Sequence, residues 1–130
     1  MTEFIAHTEN ELTDAANYIS KAIKNGDKIV FFTGDLGAGK TALIKRILNL
    51  HDIEERRVKS PTYVIKRQHK EFHHVDLYRL AEVDPDEIGL KGDEVYLIEW
   101  AEKLQGQIKP DLQVSIDINS DDSRTIRVEN

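Results

Sequence analysis

The chain has no cysteine. That excludes disulfides, cysteine-ligated zinc and thiol catalysis, and it fits a reducing compartment such as the cytoplasm. Long apolar runs are missing as well. The longest is Ile29-Val30-Phe31-Phe32, against the roughly 20 residues that cross a bilayer, so no membrane association is expected. The start, Met1-Thr2-Glu3-Phe4-Ile5, has neither a basic region nor a long apolar stretch, so no secretory leader is expected. Positive charge is in deficit. The net charge is −6 and the pI is about 5.3, whereas a domain that grips nucleic acid unaided usually carries a basic face. A local basic stretch exists at Arg56, Arg57, Lys59, Lys66, Arg67 and Lys70. Internal repeats, low-complexity tracts and linkers are absent.

What is present reads as one domain over residues 1–130, with apolar residues enough for a single core. Residues 4–7 read as a short strand. Thr8 and Glu11 form a capping-box pattern. Leu12, Ala15, Ala16, Ile19 and Ile23 follow at helical spacing, predicting a helix over 9–24. Residues 29–33 are β-rich and apolar on both faces, as in a central parallel strand. A glycine-rich loop and a helix bearing Leu43, Ile44, Ile47 and Leu48 come next. Residues 63–70 and 72–76 suggest a hairpin, and Asp84-Pro85-Asp86-Glu87 a helix start. Residues 95–98 are a second apolar strand. Residues 114–118 and 125–128 suggest a terminal hairpin turning at 119–123. The order implies an α/β domain with a mixed sheet.

The segment Gly34-Asp35-Leu36-Gly37-Ala38-Gly39-Lys40-Thr41 matches G-x-x-x-x-G-K-[ST] without deviation. Average residue usage gives about one chance match in a few hundred chains of this size. A strand before it and a helix after it supply the required context. Such a loop turns backbone N–H groups onto phosphate oxygens, helped by the positive end of the following helix. Lys40 is then expected to reach the β- and γ-phosphates, and the Thr41 hydroxyl to ligate Mg²⁺. The first conclusion is a nucleoside triphosphate site.

Hydrolysis also needs a carboxylate near the metal or the attacking water. Glu99, at the end of the second apolar strand, is the first candidate, and Asp76 the second. Ser60 and Thr62, in Ser60-Pro61-Thr62, are candidates for a switch-like loop that senses the γ-phosphate. His73 and His74 are adjacent and point to opposite faces of a strand, so packed or solvent-facing roles are expected. Trp100 reads as core or interface, and Arg79 as a surface ion pair.

Four blocks occur in order: the phosphate loop, Lys59-Ser60-Pro61-Thr62-Tyr63, His74-Val75-Asp76-Leu77-Tyr78-Arg79-Leu80 and Leu97-Ile98-Glu99-Trp100-Ala101-Glu102. Together they resemble the TsaE (YjeE) family of small bacterial ATPases needed for N6-threonylcarbamoyladenosine in tRNA. The resemblance implies a three-layer α/β P-loop fold with a mixed, mostly parallel central sheet and antiparallel edge strands. It implies ATP and Mg²⁺ as ligands, slow hydrolysis, and work on a TsaB–TsaD complex that modifies adenosine 37 of ANN-decoding tRNAs. tRNA would be held through those partners. By position, Thr8, Asp35, Leu36, Gly37, Ala38, Gly39, Lys40, Thr41 and Ala42 would form the ATP site, with Thr8 bordering the adenine. Thr41 and Glu99 would hold the metal, Lys40, Glu99 and Asp76 would serve hydrolysis, and Ser60 and Thr62 the switch. Arg124 falls at a position where members often carry a basic residue.

Three other readings compete. A small-molecule kinase usually has an arginine-rich lid, and the seven arginines here are not grouped as one. A GTPase would carry Asn-Lys-x-Asp, which is absent. A non-hydrolysing nucleotide-binding module differs from an ATPase only in turnover.

Overall fold

The computed structural model describes residues 1–54, 66–81 and 83–130. Ser60, Thr62 and the first part of the strand expected over 63–70 lie outside the described residues. Among the described residues, nine regular elements follow in chain order. They are β1 (Thr2–Ala6), α1 (Thr13–Lys24), β2 (Ile29–Thr33), α2 (Lys40–Leu50), β3 (Lys66–His69), β4 (Phe72–Asp76), β5 (Val95–Glu99), β6 (Leu112–Ile118) and β7 (Arg124–Glu129).

The strands form one sheet in the order β1-β7-β6-β2-β5-β4-β3. The β6–β2, β2–β5 and β5–β4 pairs are parallel, and the β1–β7, β7–β6 and β4–β3 pairs are antiparallel. A parallel centre with antiparallel edges is therefore what the chain builds. Parallel strands are buried on both faces. In β2, Val30 and Phe32 face the helices while Phe31 faces the opposite layer. The helix α2 buries Leu43, Ile44, Ile47 and Leu48 at three- and four-residue spacing, each contributing roughly 1.5–3 kcal/mol relative to exposure.

Two local expectations are corrected. The helix predicted over 9–24 begins as a 3₁₀ turn, Glu9–Leu12, before α1. The capping box fails for the same reason. The Thr8 carbonyl already accepts the Glu11 N–H at 3.1 Å, so the Thr8 hydroxyl caps nothing. The Glu11 carboxylate instead accepts the His7 N–H at 3.2 Å. Likewise Asp84 starts only a single 3₁₀ turn, Pro85–Glu87, with its carboxylate accepting the Asp86 N–H at 3.0 Å. Gly89 and Gly92 follow within a few residues and oppose helix continuation.

The second face of the sheet is consequently covered by turns. Val83, Ile88, Ala101 and Leu104 pack on Phe31, Val75, Tyr96 and Ile98 there, with Ala101–Leu104 forming another 3₁₀ turn. Among the described residues, no helix is long and apolar enough to cross a membrane. The parallel strands all end at one edge. Thr33, Asp76 and Glu99 close β2, β4 and β5 there, the edge where open α/β sheets bind ligands.

Candidate functional site

The loop between β2 and α2 supplies the floor of the site. Gly34 has φ +147°, and a Cβ on it would lie 2.5 Å from the Ile116 carbonyl oxygen of β6. Only glycine lets the loop leave the sheet so close to a neighbouring strand. Gly39, with φ +114°, turns the chain into α2. The Leu43 N–H reaches the Gly39 carbonyl at 2.9 Å, starting the helix. Among the described residues, no side chain caps this N-terminus, and its first turn holds no acid. Its N–H groups are thus left for an external anion, which the helix dipole favours.

Lys40 is only 4% exposed. Its Nζ donates to the Gly34 carbonyl and, at 3.1 Å, to the Asp35 carbonyl. The ammonium also lies 4.2 Å from the centre of the Trp100 ring, a cation–π distance. Thr41 follows on α2 and donates its hydroxyl to both oxygens of Glu99, at 3.0 and 3.1 Å. Glu99 is buried at the end of β5. Its Oε2 accepts a hydrogen bond from His74 Nε2 at 2.7 Å.

Asp76 pairs with Glu99 in the β4–β5 register. Its carboxyl is held above its usual value, mainly by burial, with the nearby Glu99 charge adding to the rise. The Tyr78 N–H, bonded to Asp76 Oδ1 at 3.0 Å, opposes that rise together with the positive charges of His74 and Lys40. A folded pKa raised above the unfolded one makes ionisation unfavourable to folding. The associated stability is complete below the ordinary carboxylate range and is lost as pH rises through the elevated pKa. Asp76→Asn keeps an acceptor for Tyr78 and removes the charge. It is expected to raise the thermal midpoint at pH 7 by a few degrees, with the gain vanishing near pH 4. Thermal unfolding of both proteins across that range checks the sign.

Two clefts flank the loop. One is lined by Leu36, Lys40, Thr41, Asp76, Tyr78, Glu99 and Trp100. The other is lined by His7, Thr8, Glu9, Ala38, Asp122 and Arg124. Gly37, Gly39 and Ala42 line both. The structure thus brings together every described residue expected at the site except Asp35, which lines neither cleft. Asp35 contributes its carbonyl, accepting from Lys40 and from the Ala38 N–H at 3.0 Å. Arg124 donates from Nε to the Ala38 carbonyl at 3.0 Å and from a terminal nitrogen to the Asp122 carbonyl, tying the final hairpin to the phosphate loop.

Three residues carry more than the sequence disclosed. Trp100 is not simply core. It has left-handed backbone angles, φ 60° and ψ 42°, uncommon for a bulky residue. That turn aims its ring at Lys40, with Tyr78 packed 4.9 Å away. Tyr78 is the second, and the available signal was its place two residues after an acidic strand end. His74 is the third. Its neighbour His73 faces the other layer, stacked 4.3 Å from Tyr96 and bonded to Glu94 at 3.0 Å, so both histidines are packed.

The oxygen donors of Thr41, Glu99 and Asp76 suit a hard divalent cation. Mg²⁺ is commonly held by one or two carboxylates together with substrate phosphates and water. Among the described residues, no group of three or more His, Cys, Asp or Glu is arranged as a complete metal cage.

Comparison with known proteins agrees with this architecture. The profile of the family described as Threonylcarbamoyl adenosine biosynthesis protein TsaE matches residues 6–127. The chain is 40% identical over 112 residues to the tRNA threonylcarbamoyladenosine biosynthesis protein TsaE of Haemophilus influenzae, covering 77% of this chain and 68% of the relative. It is 33% identical over 125 residues to the protein of the same name from Bacillus subtilis, covering 89% and 78%. The crystal structure of Bacillus subtilis YdiB superposes with a TM-score of 0.76 at 25% identity, covering 96% of this chain and 82% of the other. With the phosphate loop, the strand-end acids and the mixed sheet in place, the chain belongs to the TsaE family, whose name ties it to threonylcarbamoyl adenosine biosynthesis.

Proposed function

We propose that this protein is a Mg²⁺-dependent ATPase that serves threonylcarbamoylation of adenosine 37 in ANN-decoding tRNAs by acting on a TsaB–TsaD complex. The observation that carries the reading is the convergence of Lys40, Thr41, Glu99 and Asp76 on one cleft at the carboxyl ends of parallel strands. The uncapped start of α2 and the ammonium of Lys40 bind the triphosphate. The second cleft, with Thr8 and Arg124, takes the nucleoside. Thr41 and Glu99 would hold Mg²⁺, which would supply neutralisation of phosphate charge when bound. Asp76 orients the attacking water, and its raised pKa suits a group that accepts a proton.

Turnover in isolation is slow on this reading. Among the described residues, no arginine lines the cleft that holds Lys40 and Glu99. An arginine placed on the transferring phosphate is worth about 10³–10⁵ in rate in related chemistry. The acidic balance of the chain fits a factor that reaches tRNA through its partners in the cytoplasm.

The test is reconstitution of threonylcarbamoyladenosine formation with TsaB, TsaD, tRNA and ATP. Adding this protein is expected to convert a single round of modification into many. An unchanged yield over multiple turnovers would overturn the proposed role while leaving nucleotide binding to be measured separately. Efficient phosphate transfer to nucleosides or other small hydroxyl compounds would instead make it a kinase.

A further inference from the structure

We propose that His74 is a positioning residue for hydrolysis, fixing the Glu99 carboxylate in the orientation that faces the phosphate cleft. The inference rests on the reading of Glu99 as the acid at the metal.

The geometry is a three-point fixation. Glu99 sits at the end of a strand, and its side chain has three torsions to hold. Thr41 reaches it from α2, touching both oxygens at 3.0 and 3.1 Å. A single hydroxyl touching both oxygens leaves the carboxylate free to pivot about that contact. His74 removes the freedom by gripping Oε2 at 2.7 Å from a different element, β4. A carboxylate only accepts, so the imidazole Nε2 carries the proton in this bond. The two side chains are each 4% exposed, so water competes little for the bond.

The backbone makes the grip rigid. The strands β4 and β5 are paired, with His74 opposite Leu97 and Asp76 opposite Glu99. Thus His74 and Glu99 are diagonal neighbours on one face, within reach of long side chains. Asp76 shares that face, and the two carboxylates repel each other as anions. The bond to His74 opposes any swing of Glu99 in response. Among the described residues, Oε2 accepts from both Thr41 and His74 while Oε1 accepts from Thr41 alone and retains capacity to accept. Carboxylates at metal sites are commonly held by such supporting hydrogen bonds, and losing the support costs about 10–100-fold in activity or metal affinity.

The experiment compares the full chain with His74→Leu and His74→Gln. Leucine fills a similar space without a donor, and glutamine places an amide N–H near the position of Nε2. Three quantities are read: kcat at saturating ATP, the Mg²⁺ concentration giving half-maximal rate, and the Kd for ATP without metal. His74→Leu is expected to lower kcat, or raise the half-maximal Mg²⁺, by about 10–100-fold with the metal-free Kd within about twofold, and His74→Gln to recover most of the loss. Parental kcat and Mg²⁺ response in His74→Leu would overturn the proposal. So would a folded His74→Gln as impaired as His74→Leu. If thermal unfolding shows His74→Leu to be unfolded, His74→Asn replaces it, since its shorter amide falls short of Oε2. Equal rates for the Asn and Gln variants would then overturn the proposal. Glu99→Gln runs alongside. Full turnover in that variant would refute the reading of Glu99 itself, whereas its loss beside unaffected His74 variants would refute only the positioning role.

Discussion

Glu99→Gln is expected to lower Mg²⁺-dependent ATP turnover on the order of 100-fold, while binding of ATP without metal changes by no more than about threefold. The substitution is nearly isosteric. It retains an oxygen that can accept from Thr41 or His74, so the end of β5 keeps its packing. What it removes is the negative charge in a buried position, where interactions are poorly screened. A hard cation loses a ligand of full charge, and its half-maximal concentration rises accordingly. Binding of the triphosphate without metal depends on the loop and Lys40, which the change leaves intact. A rate assay over a Mg²⁺ series, with metal-free binding measured in parallel, separates the two effects. Undiminished turnover would show that Glu99 does not hold the metal.

Lys40→Ala is expected to weaken ATP binding by about 100-fold or more, because charge-assisted hydrogen bonds contribute roughly 1.5–3 kcal/mol each and every 1.4 kcal/mol is a factor of ten. Among the described residues, the lysine makes no ion pair or hydrogen bond with a group of opposite charge. Its bonds go to the Gly34 and Asp35 carbonyls, neutral acceptors that phosphate oxygens would outbid. Lys40→Arg is not expected to rescue binding. The guanidinium is larger and planar, and the slot between the loop and the Trp100 ring leaves the native side chain only 4% exposed. Calorimetric titration of both variants with ATP checks the pair of expectations. An affinity near the parental value in Lys40→Ala would show that backbone N–H groups alone hold the phosphates.

These two residues were legible in the sequence because their chemistry is written locally. The phosphate loop is contiguous, and its strand and helix flank it directly. Glu99 and Asp76 each end a recognisable strand. Pairings across the sheet leave no such mark. The bond from Arg124 to Ala38 spans 86 positions, and the bond from His74 to Glu99 spans 25. Each depends on which strands become neighbours, and the near-continuous apolar runs of buried parallel strands do not specify that. Trp100 was hidden differently. Its role comes from a left-handed backbone turn at a non-glycine residue, which propensity argues against. The capping box misled because Thr8 and Glu11 have the right types at the right spacing, yet a 3₁₀ turn gives the Glu11 N–H to a carbonyl. Among the described residues the second face of the sheet is covered by turns, which glycines keep short, and their apolar residues pack on it.

The bond that ties Arg124 to the phosphate loop also sets an order of events during synthesis. Among the described residues β1 has β7 as its only neighbour in the sheet, and Arg124 opens β7. The phosphate loop ends at Thr41 and β7 begins only at Arg124, so a chain emerging from the ribosome presents the loop well before β7 exists to seat β1 or to steady Ala38. The cleft proposed for the nucleoside is walled by residues far apart in the chain, Thr8 and Arg124. Nascent chains therefore lack this cleft until β7 has been made. The β6–β7 hairpin acts as a latch, and on the proposed reading nucleotide capture reports that the sheet has closed onto β1.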